Sequence, residues 1–379
     1  MSVVYKKLED VCEILDSRRV PITAKDRKAG TYPYYGANGL QDYVADYIFD
    51  DELVLLAEDG GNFGSKERPI AYRVSGKCWV NNHAHVLKAK PNMNVDYLCY
   101  ALMFYDTEGL VNGATRQKLT QAAMRQMVIP YRDMTEQLQI IKKISQIVRS
   151  IEKRKEELQL LDQLVKSRFI ELFGDPVTNP YGWQQLTVND VCVSVVRGPF
   201  GSALKKEFFV PPSDTTYKVY EQKHAIQKSS TIGTYYVTAE KYNELRRFEC
   251  HSGDILMSCS GTMGELYQLP AGCERGIINQ ALCKFTLNER ILPIVFLAYM
   301  RETIGNLETK GSGIQNIAAV SYVKAMPINL PPMRVQEQFA AFVEQTDKSK
   351  YYSSLSFRYC QAAANTYRQE WMTCRTSDF

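Results

Sequence analysis

Short segments of the chain place arginine, lysine, asparagine or glutamine beside glycine, and these residue types suit contact with nucleic acid. Arginine forks onto guanine, asparagine and glutamine fork onto adenine, and lysine holds phosphates. The candidates in the first half are Tyr32, Tyr35, Asn38, Lys66, Arg68, Arg116, Gln117 and Lys118. The candidates in the second half are Arg197, Lys205, Lys206, Lys218, Gln222, Lys223, His224, Lys310, Gln315 and Asn316. The alternative for each is a solvated loop residue, and for each tyrosine a packed ring with a satisfied hydroxyl.

Patterns for phosphate chemistry are incomplete. Gly76-Lys77 has Ala71 where the first glycine of a phosphate-binding loop belongs. Gly60-Gly61-Asn62-Phe63-Gly64 lacks the strand-loop-helix context of a cofactor cradle, so we interpret it as a turn. No nucleotide-binding loop is therefore expected in this chain.

Patterns for metal binding and methyl transfer are equally incomplete. His83 and His85 would point the same way on a strand, but the sequence offers no evident third ligand, so no metal site is expected. Asn179-Pro180-Tyr181 and Asn329-Leu330-Pro331-Pro332 only approach the motif of amino methyltransferases that flip a base. These gaps favour a binding role over catalysis.

Length and composition indicate a protein of two domains. The chain has 379 residues, of which 45% are hydrophobic and 23% charged, and this exceeds what one core usually serves. No apolar run reaches the roughly 18 residues of a membrane span, and the N-terminus lacks a secretory core, so we expect a cytoplasmic protein. The ten cysteines contain no Cys-x-x-Cys pair and are expected to be reduced. A net charge of +4 permits DNA binding without indicating it.

The sequence repeats after about two hundred residues, which indicates a duplicated domain. Asp51-Glu52-Leu53-Val54-Leu55 matches Gly253-Asp254-Ile255-Leu256-Met257, and Asn82-His83-Ala84 matches Asn279-Gln280-Ala281. Two further pairs of matching segments follow in the same order. They are Gly113 to Leu119 with Gly311 to Ile317, and Pro130 with Glu136-Gln137 against Pro331 with Glu337-Gln338. Both copies alternate short strands and turns, with strands expected at Leu53–Leu56, Ala71–Val74, His85–Ala89, Ile255–Met257 and Ala281–Phe285, and a short helix at Asp96–Tyr105.

A long helix is predicted between the copies. Residues 135–172 contain no glycine or proline, and apolar residues recur about every 3.5 positions, as in a coiled coil. One series is Ile144, Ile151, Leu158, Val165 and Leu172, and the other is Ile141, Val148, Lys155, Asp162 and Phe169. The stop follows at Phe173-Gly174-Asp175-Pro176.

A second helix is predicted from Val335, with Phe339, Phe342, Val343 and Thr346 on one side. We expect the two helices to pack antiparallel. The predicted fold is α+β, with two similar mixed α/β domains separated by a helical hairpin and related by a pseudo-twofold axis. The predicted boundaries are residues 1–133, the spacer helix 134–173, residues 174–332 and the C-terminal helical region 333–379.

The chain resembles the specificity subunits of type I restriction-modification enzymes over nearly its whole length. The resemblance rests on Tyr32-Pro33-Tyr34-Tyr35-Gly36-Ala37-Asn38-Gly39, on Gly311 to Ile317, and most strongly on the junction from Leu164 to Pro176. It implies two target-recognition domains that each read one half of a split DNA sequence, and helices that bind two methyltransferase subunits. Restriction subunits with translocase and nuclease activity would join from outside. S-adenosylmethionine, ATP and magnesium are expected on those partners, and this chain is expected to be non-catalytic.

The C-terminal helix departs from the family pattern after Lys350. The segment from Tyr351 to Phe379 loses the heptad pattern and the Phe-Gly ending. We therefore expect a weakened distal half of the hairpin and of the methyltransferase contact there.

Two other classes of function stay open from sequence. One is a self-contained restriction or methylation enzyme, and the other is a duplicated scaffold protein that does not read DNA.

Overall fold

The structure is a computed structural model, and it describes residues 4–113, 116–306, 309–310, 316–317 and 320–372. The chain forms two compact units. Unit 1 contains Met1–Glu156 and Ser354–Phe379, and unit 2 contains Glu157–Ser353. In the described ranges no helix is long and apolar enough to cross a membrane. Nine cysteines in these ranges are free thiols.

Unit 1 is built mainly from short strands. They are β1 Val4–Lys7, β2 Cys12–Ile14, β3 Ala29–Gly36, β4 Gly39–Val44, β5 Phe49–Ala57, β6 Ala71–Val80, β7 Ala84–Ala89, β8 Val111–Asn112, β9 Lys118–Leu119 and β10 Val128–Tyr131. The helices are α1 Leu8–Val11, α2 Val95–Leu102, α3 Gln121–Arg125 and the first part of α4 Met134–Phe173, with a 3-10 turn at Asp16–Arg18. The strands and the short helix predicted from sequence in this half are confirmed.

The main sheet of unit 1 has the strand order β2-β7-β5-β6-β3-β4. Consecutive residues at its centre are apolar. Because successive residues of a strand point to opposite sides, apolar side chains cover both faces there. On one face Val54 and Leu56 pack against Leu98 of α2 and Ile140 of α4. On the other face Leu53 belongs to a smaller cluster. Strands β1 and β10 pair separately just before α4 begins.

Unit 2 contains the remaining strands. They are β11 Gln184–Thr187, β12 Cys192–Arg197, β13 Tyr217–Tyr220, β14 Tyr236–Val237, β15 Glu249–Cys250, β16 Ile255–Ser258, β17 Leu266–Gln268, β18 Gly276–Ile278, β19 Leu282–Leu287, β20 Thr309–Lys310, β21 Asn316–Ile317 and β22 Pro327–Leu330. The helices are α5 Gln222–Ile226, α6 Ala239–Glu244, α7 Pro293–Thr303, α8 Val320–Ala325 and the first part of α9 Met333–Met372, together with the remainder of α4. Short 3-10 turns occupy Gly201–Leu204, Lys206–Phe208, Arg246–Phe248 and Ile304–Asn306. Both strands predicted in this half are confirmed.

The two units share one strand order. In unit 2 the sheet is divided into β12-β19-β16-β17 and β14-β13-β18-β15. Strand β5 of unit 1 corresponds to β15 followed by β16, and β6 corresponds to β17 followed by β18. The pairs Phe49↔Cys78 and Cys250↔Gly276 lie at equivalent places in this arrangement. The duplication that the sequence predicts is therefore present in the strand topology.

The structure corrects the alignment of the two copies by one residue. Val80 lies beside Tyr35, and Ile278 lies beside Tyr220 in the same parallel pairing, so Asn81 is equivalent to Asn279. Each of these asparagines accepts the backbone N–H two residues later. The predicted match of Asn82 with Asn279 is wrong, because the neighbouring Asn81 and Asn82 match Asn279 equally well when letters alone are compared.

The strand match is also wrong by one residue, because a run of apolar letters can be matched in more than one register. Val54 and Ile255 both face the cluster that contains the long helices, whereas Leu53 faces the opposite side. The pairs Leu56↔His85 and Met257↔Cys283 give the same correction. In a strand, a slip of one residue moves every side chain to the other face.

A buried glutamine occupies the same place in both units. The Gln137 side chain in α4 accepts a hydrogen bond from the Asn94 N–H at 2.7 Å and donates to the carbonyls of Asn92 and Arg132. It is fully buried. Gln137 thereby joins the loop before α2 to the start of α4.

In unit 2 the corresponding residue is Gln336 in α9. It accepts from the Leu292 N–H at 2.9 Å and donates to the carbonyls of Arg290 and Pro331. The predicted match of Gln137 with Gln338 is wrong by two residues. The equal spacing from proline to glutamine in the two copies suggested that match. The register of strands β10 and β22, however, makes Ile129 equivalent to Ile328, and therefore Gln137 equivalent to Gln336.

Helices α4 and α9 run antiparallel within each unit. In unit 2, Phe339 contacts Phe169 and Phe173, with ring centroids 5.8 and 5.2 Å apart, and Lys350 pairs with Asp162 at 2.8 Å. In unit 1, Lys155 lies over the Phe357 ring and Lys143 over the Tyr367 ring. In each unit the residue number rises along α9 as it falls along α4.

The residues predicted to pack between the long helices differ in how deeply they are buried. Phe169, Phe339 and Val343 are buried in the unit 2 core, where Val165 and Leu172 pack partly buried. Ile141 and Ile144 pack partly buried against the unit 1 core. The half-buried remainder are Val148, Ile151, Leu158 and Phe342.

The second series predicted along α4 is wrong at its centre. Lys155 and Asp162 are exposed. The half-buried positions there are Arg154 and Leu161, which continue a series from Ile147 to Arg168. Arginine has a long apolar stem that can cover apolar surface, and the guanidinium of Arg168 lies over the Phe342 ring and pairs with Glu171. A pattern based on apolar residues alone therefore misses these positions.

Helix α9 continues past Lys350 to Met372. One series of its buried or half-buried positions follows the alternating spacing of three and four residues on both sides of Lys350. It contains Gln336, Phe339, Val343, Thr346, Lys350, Ser353, Phe357, Cys360, Ala364 and Tyr367. The heptad pattern is therefore present after Lys350, and the expectation that it is lost there is wrong. Small residues occupy three of the five positions after Lys350, and the exposed Tyr351, Tyr352 and Tyr359 lie outside the series, so hydrophobicity alone does not mark it.

Candidate nucleic-acid interface

Three segments of unit 1 meet around Gly60, and we call this place the Gly60 corner. The Asn38 amide in the turn between β3 and β4 donates to the Gly60 carbonyl at 3.0 Å. The Gly60 N–H donates to the Gln117 carbonyl beside β9 at 3.2 Å. Gly60 has a φ of +63°, which favours glycine. The predicted candidates Asn38 and Gln117 are thus brought together from distant parts of the sequence.

Charged side chains surround this corner. The Asp59 carboxylate lies 2.9 Å from Nη2 of Arg116 and 2.6 Å from Nδ1 of His83. Nζ of Lys118 lies 3.1 Å from the Glu58 carboxylate. Arg116 and Lys118 are more than half exposed, so their charged ends face solvent. The corner therefore presents an amide, a guanidinium and an ammonium group on one surface.

A buried network supports the corner from below. Asp16, Glu58 and His85 place possible metal ligands within 4.8 Å of one another. Their atoms are already engaged, since Arg19 contacts both carboxylates and His85 uses Nδ1 on Asp16 and Nε2 on the Leu119 carbonyl. These contacts fit an internal ion-pair network that ties the end of β5 to β9 better than they fit a metal centre.

The electrostatics of Asp16 agree with that role. Burial raises the pKa of Asp16, but hydrogen bonds from His85, Gln121 and the Val86 N–H outweigh burial and hold the pKa below its ordinary value. The carboxylate consequently stays charged in the folded protein and keeps its partners in place.

Of the other candidates of unit 1, the two tyrosines lie apart from the Gly60 corner, and Lys66 and Arg68 lie close to it along the chain. Tyr32 packs on Tyr47, with ring centroids 5.0 Å apart, and Tyr35 packs on Tyr72 against a core cluster. Both tyrosines follow the packed-ring alternative. The exposed side chains of Lys66 and Arg68 belong to the loop that leaves the Gly60 corner toward β6.

Unit 2 has an equivalent corner around Gly261. Gly261 has a φ of +66°, and the Gln222 amide lies beside it, 3.8 Å from where a Cβ would be. Among the residues that the structure describes, Oε1 of Gln222 is buried without a hydrogen-bond partner. Both units therefore place a side-chain amide against a glycine in the loop after the central strand.

Other cations of unit 2 have neighbours of their own. Nε of Arg197 donates to the Gln280 carbonyl at 3.4 Å, and its guanidinium lies over the Phe200 ring. Lys223 pairs with Glu221 at 2.6 Å. Lys205 pairs loosely with Glu207, and Lys206 is exposed.

Two candidates of unit 2 are corrected by their burial. The Lys218 side chain is buried and pairs with Glu274 at 2.6 Å, so it cannot reach a phosphate. His224 is fully buried, accepts from the Glu221 N–H at Nδ1 and donates from Nε2 to the Ile232 carbonyl at 2.7 Å. Burial lowers the pKa of His224, in keeping with a neutral ring. Both residues hold the fold, because strand pairing buries Lys218 and helix packing buries His224, although both look like loop positions in the sequence.

The second-half motif lies mostly outside the described residues. Gln315 is among the residues outside the described ranges. Lys310 and Asn316 belong to β20 and β21, which pair as a hairpin in the way that β8 and β9 pair in unit 1.

Sequence reasoning missed the acidic residues that organise the unit 1 corner. Asp59 and Glu58 directly precede the glycine pair Gly60-Gly61, and each holds one of the predicted cations. The signal available in the sequence was carboxylates placed next to glycine at the end of a buried strand. Asp16 and Arg19 gave no such signal, because their partners are far away in the chain.

The asparagines of the two segments that approach the methyltransferase motif have structural roles. Asn179, at a φ of +47°, bonds the Trp183 backbone in the turn that follows α4. Asn329 is buried and donates to the Pro176 carbonyl at 2.8 Å.

Both halves of the chain match one family of known proteins. A family model described as the type I restriction modification DNA specificity domain matches residues 2–161 and again residues 180–351. A putative type I restriction enzyme specificity subunit of Haemophilus influenzae is 26% identical over 369 residues, which is 90% of this chain and 87% of that protein. The specificity subunit of the Escherichia coli enzyme EcoprrI is 27% identical over 21% of this chain and 19% of that protein.

Two solved structures share the fold. The type I restriction-modification S subunit from M. genitalium superposes with a TM-score of 0.54 at 12% identity, covering 99% of this chain and 96% of that one. A second structure, from work on complex assembly and conformational transition of the type I restriction-modification system, has a TM-score of 0.59 at 13% identity, covering 98% of each chain.

Proposed function

Because the chain belongs to the family of type I restriction-modification DNA specificity subunits, we propose a division of labour within it. Each unit reads one half of a bipartite target on duplex DNA, and the long helices bind two modification subunits, which are the methyltransferases. Restriction subunits with translocase and nuclease activity join that complex. The family membership supplies DNA recognition as the task, and the proposal assigns the parts of the task to parts of the chain.

The observation that carries the proposal is the repeated corner. Both units have the same strand order, and both place an amide side chain against a glycine of positive φ after the central strand. Asparagine and glutamine amides recognise adenine edges, and glycine allows the backbone to approach a ligand closely. Two equivalent corners suit a target that is itself divided into two halves.

Exposed apolar side chains on the long helices support the docking of modification subunits. Leu160 and Leu164 on α4 are about half exposed, and Tyr351, Tyr352 and Tyr359 on α9 are 64, 70 and 68% exposed. Large aromatic side chains exposed on a helix are typical of protein interfaces. We therefore place the partner contact on these outward faces.

The chemistry belongs to the partners in this proposal. S-adenosylmethionine binds the modification subunits, ATP and magnesium bind the restriction subunits, and the chain described here contributes recognition and assembly. The titratable groups of the Gly60 corner are paired with one another, which suits an organising role rather than acid-base catalysis. We also propose a cytoplasmic location, where the complex would meet the DNA that it reads.

Methylation assays test this division. The purified chain alone should transfer no methyl group from S-adenosylmethionine, and the chain with two modification subunits should methylate adenine in a bipartite motif. Methyl transfer or cleavage by the chain alone would revive the self-contained enzyme. Failure of the complex to bind even random duplex DNA at low salt would favour the scaffold protein.

Domain replacement tests the independence of the two units. Exchanging residues 1–133 for those of a related chain should change one half of the methylated motif and leave the other half unchanged. Exchanging residues 174–332 is the matched control and should change the opposite half. A replacement that changed both halves would contradict independent reading.

A further inference from the structure

Arg116 is held in one place although most of its side chain is exposed. The Arg116 side chain is 59% exposed, whereas the Asp59 carboxylate that contacts it is 19% exposed. The guanidinium also lies across Gly60, where a Cβ would come within 3.4 Å of Nε. A Cβ at position 60 would therefore be in van der Waals contact with the arginine.

The Asp59 carboxylate is itself fixed. Oδ1 lies 2.6 Å from Nδ1 of His83, on the turn before β7. The backbone on both sides is tied to β9, because Leu119 N–H donates to the Glu58 carbonyl at 2.7 Å and Gly60 N–H donates to the Gln117 carbonyl. The arginine is thus anchored through a carboxylate on a rigid part of the domain.

This arrangement suits a base edge better than a phosphate. The guanidinium has five N–H donors, and the carboxylate contact leaves a pair free to fork onto O6 and N7 of guanine. A carboxylate 2.9 Å away would repel a phosphate, whereas a neutral base meets no such repulsion. Holding the side chain in advance also reduces the conformational entropy lost on binding.

We propose that Arg116 reads a guanine in the half-site of unit 1, and that Asp59 is the positioning residue that aims it. This inference rests on the proposed function of unit 1 as a reader of DNA. It adds the identity of one base and the two residues that select it.

The test is selection of bound sequences from a random duplex library by the chain assembled with its modification subunits. The wild-type complex should select guanine at a defined position of one half-site. Arg116→Ala and Arg116→Lys should each reduce that preference about tenfold or more, because neither keeps the fork. Arg116→Lys should keep its affinity for random duplex DNA, because it keeps the charge.

Arg68→Ala is the matched control, since Arg68 is an exposed arginine on the adjacent loop. It should leave the selected sequences unchanged, weaken binding to all duplexes alike, and lower the salt dependence by about one counterion. Arg116→Ala behaving in this way would show a phosphate contact and would overturn the proposal.

Asp59→Asn separates positioning from simple stability. We expect a weaker guanine preference together with tighter binding to random duplex DNA, because a negative charge beside the phosphates is removed. A loss of both would show that Asp59 only stabilises the fold, and would overturn its assigned role. The half-site of unit 2 must stay unchanged in every variant, which excludes global unfolding. A wild-type complex that selects no sequence in either half would contradict the proposed function instead.

Discussion

At the scale of single residues, the buried glutamines Gln137 and Gln336 are the most closely matched feature of the two units. Each satisfies one backbone N–H and two carbonyls that have left water. Replacing such a group leaves buried donors and acceptors unpaired, which costs more than the hydrogen bonds themselves contribute. The shape of the side chain is therefore less important here than its amide.

We expect Gln137→Leu to lower the free energy of unfolding by about 3 kcal/mol, because leucine fills similar space but pairs with none of the three backbone groups. Gln139→Leu is the control, since Gln139 is exposed two residues away on the same helix. Urea unfolding of both variants measures the difference. Equal midpoints for the two would show that the Gln137 contacts add nothing to stability.

Asp16 predicts a dependence of stability on pH. Its pKa is lower in the folded protein than the ordinary value of 3.8. Its stabilisation is therefore fully present above that ordinary value and is lost as the pH falls through the lowered one. Asp16→Asn should lower the free energy of unfolding at neutral pH and flatten its decline in acid.

Urea midpoints measured from pH 7 to pH 3 check this expectation. Asp10→Asn is the control, because Asp10 is exposed. An acid decline as steep in Asp16→Asn as in the wild type would assign the pH dependence to other groups.

Residue types and glycine positions predicted part of the candidate site. Asn38, Arg116, Gln117 and Lys118 were named from sequence and lie at one corner, and their contact with DNA stays a prediction. Lys218 and His224 look the same in the sequence but are buried by strand and helix packing. The exposure of a lysine depends on pairings between strands that are distant in the sequence. A local sequence pattern carries no information about those pairings.

At the scale of elements, α9 shows that a helix can keep its packing period when small residues occupy several of the packed positions. Phe357 is half-buried toward α4, and Tyr359, two residues later, is 68% exposed. Phe357→Ala should lower the free energy of unfolding of the chain by about 2 kcal/mol, less than for a fully buried phenylalanine. Tyr359→Ala should change it by less than about 0.5 kcal/mol.

Chemical unfolding combined with pull-down of modification subunits measures both effects. Tyr359→Ala should reduce the pull-down if the exposed aromatics bind the partner, whereas its stability should stay unchanged. Equal stability of the two variants would mean that the segment after Lys350 does not pack on α4.

The elements themselves were largely predictable, whereas their alignment was not. Short runs of apolar residues marked β5, β7, β16 and β19, and the absence of glycine and proline marked α4. The match between copies failed by one or two residues, because neighbouring residues of the same type gave equally good matches of letters. Pairings between strands, such as Val80 with Tyr35 and Ile278 with Tyr220, reveal the true equivalence.

At the scale of the whole molecule, both long helices are shared between the units. The division falls between Glu156 and Glu157 in α4 and between Ser353 and Ser354 in α9. Each helix therefore contributes one part of its length to each recognition unit. A change of length at these two places leaves the contacts inside each unit intact.

We expect that inserting one heptad at both places lengthens the gap between half-sites by about three base pairs. Seven helical residues add about 10.5 Å, and B-DNA rises about 3.4 Å per base pair. A paired insertion keeps the period of three and four residues in both helices. The methylated motif, mapped by sequencing, should keep both half-sites. A heptad inserted in α4 alone is the control and should disrupt assembly, while an unchanged gap after the paired insertion would contradict a helical spacer.

The glutamine contacts common to the two units bear on how such a chain can evolve. The junction between a domain and its helix uses the same side chain and the same three backbone partners in each copy. A recombination event within the sequence of a long helix therefore transfers an entire domain together with a junction that fits its new neighbour. A lineage can acquire a new combination of half-sites in one genetic step, without passing through intermediates whose domains are poorly joined.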